Sequence, residues 1–333
     1  MTKIFLSVAF ALSLFLGGCA KSEVISPVTG SQDQSGSESP PLSATNPPVA
    51  FRSDIDFSAI VWPANMTNLD RRALELALNI SGSFEGLESW ITISNNSDKQ
   101  GMSLGLLSQN FGSGTLQPLL IEMRDHHPEI MSLIFSPAHL ISLYAMLVDW
   151  SSQTSARSFA ESPRVSMLDM FSMANSAAGS VAWAVKNIYS NKAGTVFIKQ
   201  WKSEFQTLAI TPEYKNLQFG EALTMHEAAK AYALQTGVSQ LRSYLMMFDV
   251  VDQNGYMHRG DFVDYQTYLQ ANPNATATER LSQLVELRVR HVNPVYADDV
   301  RSRKMAIVNG QGRVHSVERN LEVQYDFSRL ESY

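Results

Sequence analysis

Residues 81–120 read SGSFEGLESWITISNNSDKQGMSLGLLSQNFGSGTLQPLL, and the order of features in them decides the fold. Upstream, Ala73, Leu76, Ala77, Ile80 and Phe84 recur at helical spacing while Asp70, Arg71, Arg72 and Glu75 lie off that stripe. This predicts a helix capped by Asn68 or Asp70 and running to about Ser81. Phe84-Glu85-Gly86 closes it, and Trp90-Ile91-Thr92-Ile93 is an aromatic and β-branched run. Asn95-Asn96-Ser97-Asp98 is turn chemistry. Gly101, Gly105, Gly112 and Gly114 then space the approach to a second apolar helix. One carboxylate ends a helix, and another lies thirteen residues later in a hairpin turn.

Downstream, helical patterns occupy about 115–124, 137–149, 165–190, 194–207, 213–236, 238–250, 259–271 and 276–291. Prolines 118, 128, 137, 163, 212 and 273 stand near starts or breaks, where a missing N–H is tolerated. From Arg303 on, KMAIVNGQGRVHSV alternates enough to suggest a short hairpin turning at Asn309-Gly310. The fold class is mainly α with a small β-hairpin region, an α+β arrangement.

The N-terminus reads differently. Lys3 precedes an apolar run, Ile4 to Leu16, too short to span a bilayer. Residues 20–50 are rich in Ser, Pro, Gly, Thr and Gln, and bury too little to offset their ordering entropy. They read as a flexible tether, and residues 51–333 as the folded part. Loss of Lys3 with the leader leaves 25 basic against 32 acidic residues, net −7. That balance argues against nucleic acid, whose binding rests on basic neutralisation of phosphate. The single cysteine, Cys19, excludes an intramolecular disulfide.

Two carboxylates flanking a gap is the layout of a glycosidase. At a helix C-terminus the dipole disfavours an ionised Glu85, and Phe84 and Trp90 are near enough in sequence to desolvate it, as a general acid at neutral pH requires. Glu88 is the competing carboxylate, and spacing does not separate the two. Asp98 is the candidate base; an aspartate in such a turn also commonly hydrogen-bonds its own backbone. Other constellations are poorer. Asp125-His126-His127 places adjacent histidines on different helix faces. Asp249 to Asp261 matches a calcium loop only in part, because Val250 falls on the first ligand position. Ser103 lacks the strand–turn–helix setting of a hydrolase elbow. No metal and no cofactor is assigned.

Two resemblances add to this reading. Leu16-Gly17-Gly18-Cys19 resembles the lipobox of bacterial lipoproteins. That implies a signal peptide over 1–18, a lipid on Cys19 and, with no aspartate after the cysteine, the periplasmic face of the outer membrane in a diderm host. Residues 83–120 resemble the catalytic segment of the lysozyme-like superfamily, nearest to family-46 chitosanases and related bacterial and phage peptidoglycan-hydrolase domains. The resemblance implies two lobes around a cleft, Glu85 as acid and Asp98 as base. It matches Gly101-Met102-Ser103-Leu104-Gly105 to the run after the base, and the 109–117 stretch that opens on Gln109-Asn110 to a further passage of the relatives. Ser103, Gln109 and Asn110 thereby become substrate-binding candidates. The element Phe248-Asp249 to Gln253-Asn254-Gly255 resembles one that lines the cleft, adding Asp249 and Asn254. A basic pair, Arg303-Lys304, opens a third similar stretch ending at Val314-His315. The relatives carry glutamine then tryptophan where this chain has Ser108 and Gln109, and glycine where it has Lys99. The implied activity is cleavage of peptidoglycan glycan strands, with inversion. Alternatives are a chitosanase, a lytic transglycosylase, or a non-catalytic wall-binding lipoprotein.

Overall fold

The computed structural model describes residues 52–86, 89–158 and 167–333. The leader, Cys19, the 19–50 tether and Glu88 lie outside the described residues. What is described is mainly helical, with twelve helices and two small antiparallel sheets.

Helix α1 (Asn68–Phe84) is central, and its residues from Ala73 to Gly82 are all buried. It starts one residue earlier than expected. The hydroxyl of Thr67, rather than Asn68 or Asp70, accepts the Asp70 N–H at 3.0 Å, which meets one of the open donors of the first turn. Glu85 is its C-cap, and Gly86 at φ +75° turns the chain away.

The β-region follows as β1 (Ile93–Ser94), β2 (Ser103–Leu104) and β3 (Gln109–Asn110), ordered β1-β2-β3. Ser94 pairs with Ser103, which in turn pairs with Asn110. The β1–β2 connection holds a short 3-10 turn, Asn96–Asp98, capped by Asn95. It is docked on residues 191–195. The Asn96 N–H donates to Gly194 O at 3.0 Å and the Asn95 amide to Thr195 O at 2.9 Å. Between β2 and β3, Gly105 (φ +83°) lies so near Gln218 that a Cβ there would sit 1.9 Å from its Oε1.

The remaining helices are α2 (Leu116–His126), α3 (Pro128–Ile134), α4 (Pro137–Ser158), α5 (Met167–Asn187), α6 (Lys199–Ala209), α7 (Pro212–Thr236), α8 (Leu241–Asn254), α9 (Arg259–Ala271), α10 (Ala277–Val289), α11 (Ala297–Asn309) and α12 (Leu321–Tyr325). Short α3 is absent from the sequence reading, and α6 begins at Lys199 rather than 194. The preceding residues are spent on a β-bridge between Tyr189 and Phe197.

The C-terminal hairpin is displaced from its expected position. Arg303 to Asn309 is helical, and Gly310 (φ +74°) ends α11 instead of making a hairpin turn. The strands are β4 (Gln311–Val314) and β5 (Val317–Asn320), turning at His315-Ser316 with φ of 50° and 66°. Asn-Gly serves a helix C-cap as readily as a two-residue turn, and burial of Val300, Ala306, Ile307 and Val308 on α8 and α10 decides for the helix.

Apolar side chains form two clusters. The first gathers α1, α8, α10, α11, Trp90 and Leu106; the second gathers Met102, Leu104 and Phe111 with α2, α3, α4 and α6. The region around the sheet contributes to both, with Leu104 of β2 in the second and Leu106 of the β2–β3 connection in the first, and so does α7, with Tyr214 in the second and Phe219 in the first. Among the described residues no helix is long and apolar enough to cross a membrane.

Candidate active site

Glu85 stands at the end of α1 with its side chain 35% exposed, and the group on it is an arginine. Arg303, on α11, is 1% exposed. Its Nη1 donates to Glu85 Oε1, and its Nη2 donates to Asp249 Oδ1 at 2.7 Å. The other oxygen of Asp249 accepts from Lys304 Nζ at 3.0 Å, and Lys304 also donates to Gln253 Oε1 at 2.7 Å. Gln253 Nε2 donates to Asp299 Oδ2 at 2.7 Å, and Asp299 pairs with His315 at the hairpin tip. One chain of polar contacts therefore runs from the exposed end of α1, through the interior, to β4–β5.

Helix α8 supplies Asp249, Asp252 and Gln253 from one turn, because residues three and four apart share a helix face. Consecutive Arg303 and Lys304 both reach Asp249 because its two oxygens are met from different sides. The sequence signal for this pairing is present but incomplete. Asp249 interrupts the apolar run Tyr244-Leu245-Met246-Met247-Phe248 and Val250-Val251, where no face is wet, so a cation has to meet it. Sequence alone does not say which.

The electrostatics follow from burial. Asp249 is fully buried, which by itself would raise its carboxyl; Arg303 and Lys304 overcome that and hold it at about 2. Burial pulls Lys304 down to about 8 against the attraction of Asp249. Asp252 Oδ2 stands 3.9 Å from Arg303 Nη2 with its side chain 16% exposed. Burial pushes its carboxyl up to about 7, against Arg303 and with Asp249 and Glu85 adding repulsion.

Phe84 and Trp90 do not close over Glu85 as a pair. The guanidinium carbons of Arg303 and Arg319 lie 5.2 and 5.6 Å from the Phe84 ring centroid. Trp90 packs edge-on against Phe57 and donates to Asp56 O at 2.8 Å. Arg319 also donates to Ser83 Oγ, which seats the hairpin beside the end of α1. An open depression there is lined by Asn309, Gln311, Gly312, Glu318 and Arg319.

Asp98 ends its 3-10 turn, half-buried, and its Oδ1 accepts the Gln100 N–H at 3.0 Å, the self-capping of a turn aspartate. Nearby Tyr189 donates to Gly101 O at 2.6 Å; burial and the Asp98 charge push its phenol up. A second open depression includes Tyr189, Lys186 and Asn191.

The substrate-binding candidates separate into two groups. Ser103 and Gln109 are buried in the sheet, and neither polar atom of the Gln109 amide makes a hydrogen bond to the described residues. Asn110 is half-buried and shapes its own loop, accepting the Ser113 N–H at 2.7 Å. Asp249 has no exposed surface and touches Arg303 and Lys304, so it braces the site from within instead of lining a cleft. Asn254, at the end of α8, keeps a buried Oδ1 with no hydrogen bond among the described residues. Asp125 pairs with Arg124 and His126 with Glu122, and Asp261 is held by Arg290 and His291. Among the described residues no group of three or more His, Cys, Asp or Glu is placed to hold a metal ion. Arg303, Lys304, Asp252 and Gln253 form the polar cluster behind Glu85 and were not singled out as site residues by sequence reasoning.

No family model, no curated protein and no solved structure matches the chain.

Proposed function

We propose that this protein is a glycoside hydrolase that cuts peptidoglycan glycan strands, held to the cell envelope by a lipid on Cys19. The observation that carries the reading is the setting of Glu85. A half-exposed carboxyl caps a buried helix, is gripped by an arginine locked from behind by Asp249, and is followed in the chain by a three-stranded sheet whose first turn carries Asp98. Holding a reacting carboxyl through a buried partner that is itself ion-paired is how a site limits its geometric freedom.

In this mechanism Glu85 gives its proton to the glycosidic oxygen as the bond to the leaving sugar breaks. Asp98 takes a proton from a water that attacks the anomeric carbon from the opposite face. Inversion requires the two carboxyls to stand roughly 6.5–9.5 Å apart with sugar bound, leaving space for that water. The lysozyme-like fold, with two lobes around a cleft, belongs to the same proposal; the two apolar clusters, bridged by the β2–β3 region and α7, support it.

The test offers purified sacculi and partly deacetylated chitosan in parallel, with products read by mass spectrometry. Soluble muropeptides with reducing ends support the proposal, and anhydro ends assign a lytic transglycosylase. Cleavage of chitosan alone moves the substrate to that polymer. Sacculus binding without products makes the protein a wall-binding lipoprotein and overturns the enzymatic reading.

A further inference from the structure

From α11 to the end of the chain, most arginines are paired with carboxylates. Arg301 takes Glu286 and Asp298, Arg303 takes Glu85 and Asp249, Arg313 takes Glu318, and Arg329 takes Glu322. Arg319, on β5, pairs with none among the described residues. Its guanidinium donates to a neutral hydroxyl, Ser83 Oγ, and its central carbon lies 5.6 Å from the Phe84 ring centroid. Glu318 precedes it in the strand, but successive strand residues point to opposite faces. Glu318 instead stands across the hairpin from Arg313, with its Oε1 3.8 Å from Arg313 Nε. A half-buried cation is thus fixed in place with its charge unanswered.

The place it holds is beside Glu85. Ser83 and Phe84 immediately precede Glu85 at the end of α1, and Arg303, which grips Glu85, lies 5.2 Å from the same Phe84 ring. Arg319 lines the open depression there with Asn309, Gln311, Gly312 and Glu318. Gly312 is its partner across the hairpin and brings no side chain to cover it. Arg303 is poorly suited to an incoming anion, because it is buried and its charge is already met by Glu85 and Asp249. Arg319 keeps donors beyond the one given to Ser83. Its Nε–H is buried without a hydrogen bond to the described residues, which leaves the Nη groups to meet a ligand.

We propose that Arg319 is a specificity residue of the same site, binding a carboxylate carried by the glycan strand next to the bond that Glu85 cleaves. The inference rests on the reading of Glu85 as the acid. A planar guanidinium matches a carboxylate in geometry and in charge. Ser83 and the Phe84 ring fix that plane before the ligand arrives. Peptidoglycan strands offer such a group from two sources: the lactyl acid on the sugar where no peptide is attached, and the acids of the stem peptides. Chitosan offers none, and its protonated amines are repelled by the same arginine. Arg319 therefore selects an acid-bearing strand locally, in a protein whose net charge is negative.

The experiment titrates the full chain, with nitrogen-15 in its arginines, against N-acetylmuramic acid, N-acetylglucosamine and a free stem tripeptide. It follows the Arg319 Nε–H resonance, identified by its loss in Arg319→Lys. N-acetylmuramic acid or the tripeptide shifts this resonance, added salt weakens the shift, and N-acetylglucosamine leaves it in place. A shift from the acidic sugar assigns the lactyl acid, and one from the tripeptide alone assigns the stem. In sacculus digestion, Arg319→Gln raises KM about tenfold or more with kcat nearly unchanged, and Arg319→Lys recovers part of the loss. Stripping the stem peptides with an amidase beforehand preserves this effect for the lactyl acid and abolishes it for the stem. A resonance unmoved by both acids, or moved equally by N-acetylglucosamine, overturns the proposal. So does an unchanged KM in Arg319→Gln, or a fall in kcat alone, which is the mark of a merely structural residue. If Arg319→Gln does not fold, the wild-type titration and the KM of Arg319→Lys decide. Absence of hydrolysis by the wild-type protein overturns the reading of Glu85 as the acid, while the titration still decides by itself whether Arg319 takes a carboxylate.

Discussion

Asp249→Asn is the perturbation most fully determined by the structure. Asparagine keeps the volume and one acceptor but removes the charge that meets Arg303 at 2.7 Å and Lys304 at 3.0 Å. All three groups are buried, so the variant strands cationic charge in the interior. Breaking a buried pair by removing one partner costs about 3–5 kcal/mol, a large share of a total stability of about 5–15 kcal/mol. With a urea slope of about 2–3 kcal/mol per molar, the unfolding midpoint falls by about 1–2 M. The loss also depends on pH with a definite sign. Lys304 is drawn down to about 8 even with Asp249 beside it, and it loses its proton more readily still without that partner. At pH 9 the stranded lysine is neutral, so the deficit relative to wild type is smaller at pH 9 than at pH 6. Urea melts of the two proteins at both pH values, followed by circular dichroism, read this directly. A midpoint within about 0.3 M of wild type, or a deficit equal at both pH values, refutes the buried-charge account, because errors of ordinary melts are near that size.

Three further outcomes follow from other parts of the structure. Gly105→Ala places a Cβ 1.9 Å from Oε1 of fully buried Gln218, at φ +83°, and disturbs the 2.9 Å bond from the Leu106 N–H; a loss of at least about 2 kcal/mol is expected in thermal melts, whereas Gly220→Ala, with nothing near its Cβ, is tolerated. Asp252→Asn removes a carboxyl held at about 7 against an ordinary 3.8; the folded form binds the extra proton between those values, so wild-type stability falls as pH rises through that window, by about 4 kcal/mol, and the variant's profile is flatter and higher at pH 8. Asp98→Asn stops inverting hydrolysis of sacculi while leaving the urea midpoint near wild type; unchanged turnover, or persistence of anhydro-ended products, removes Asp98 from the role of base.

Much of the fold was legible because its signals are local. The stripe from Ala73 to Phe84, the turn residues 95–98 and the glycines around 101–114 each act through neighbouring residues, and α1 and the three-stranded sheet lie where those patterns put them. The readings that failed depend on distant partners. Lys304 to Gly310 alternates like a strand, but packing on α8 and α10 makes the segment helical. Asp249 was expected at a cleft surface and instead closes an ion pair with Arg303, 54 residues away. Its position inside an apolar run signals a buried charge, and Arg303-Lys304 beside Ala306-Ile307-Val308 signals another. Their meeting is a property of the tertiary fold. Asp252 carried no signal, since an aspartate near a helix end is ordinarily a solvated one.

The most direct measurement digests purified sacculi with the wild-type protein and with Glu85→Gln, whose fold is checked by circular dichroism and an unchanged urea midpoint to within about 1 M. Release of muropeptides with reducing ends by the wild type and none by Glu85→Gln is the predicted result. Equal release by both proteins contradicts the assignment of Glu85 as the acid, and release by neither contradicts the hydrolase.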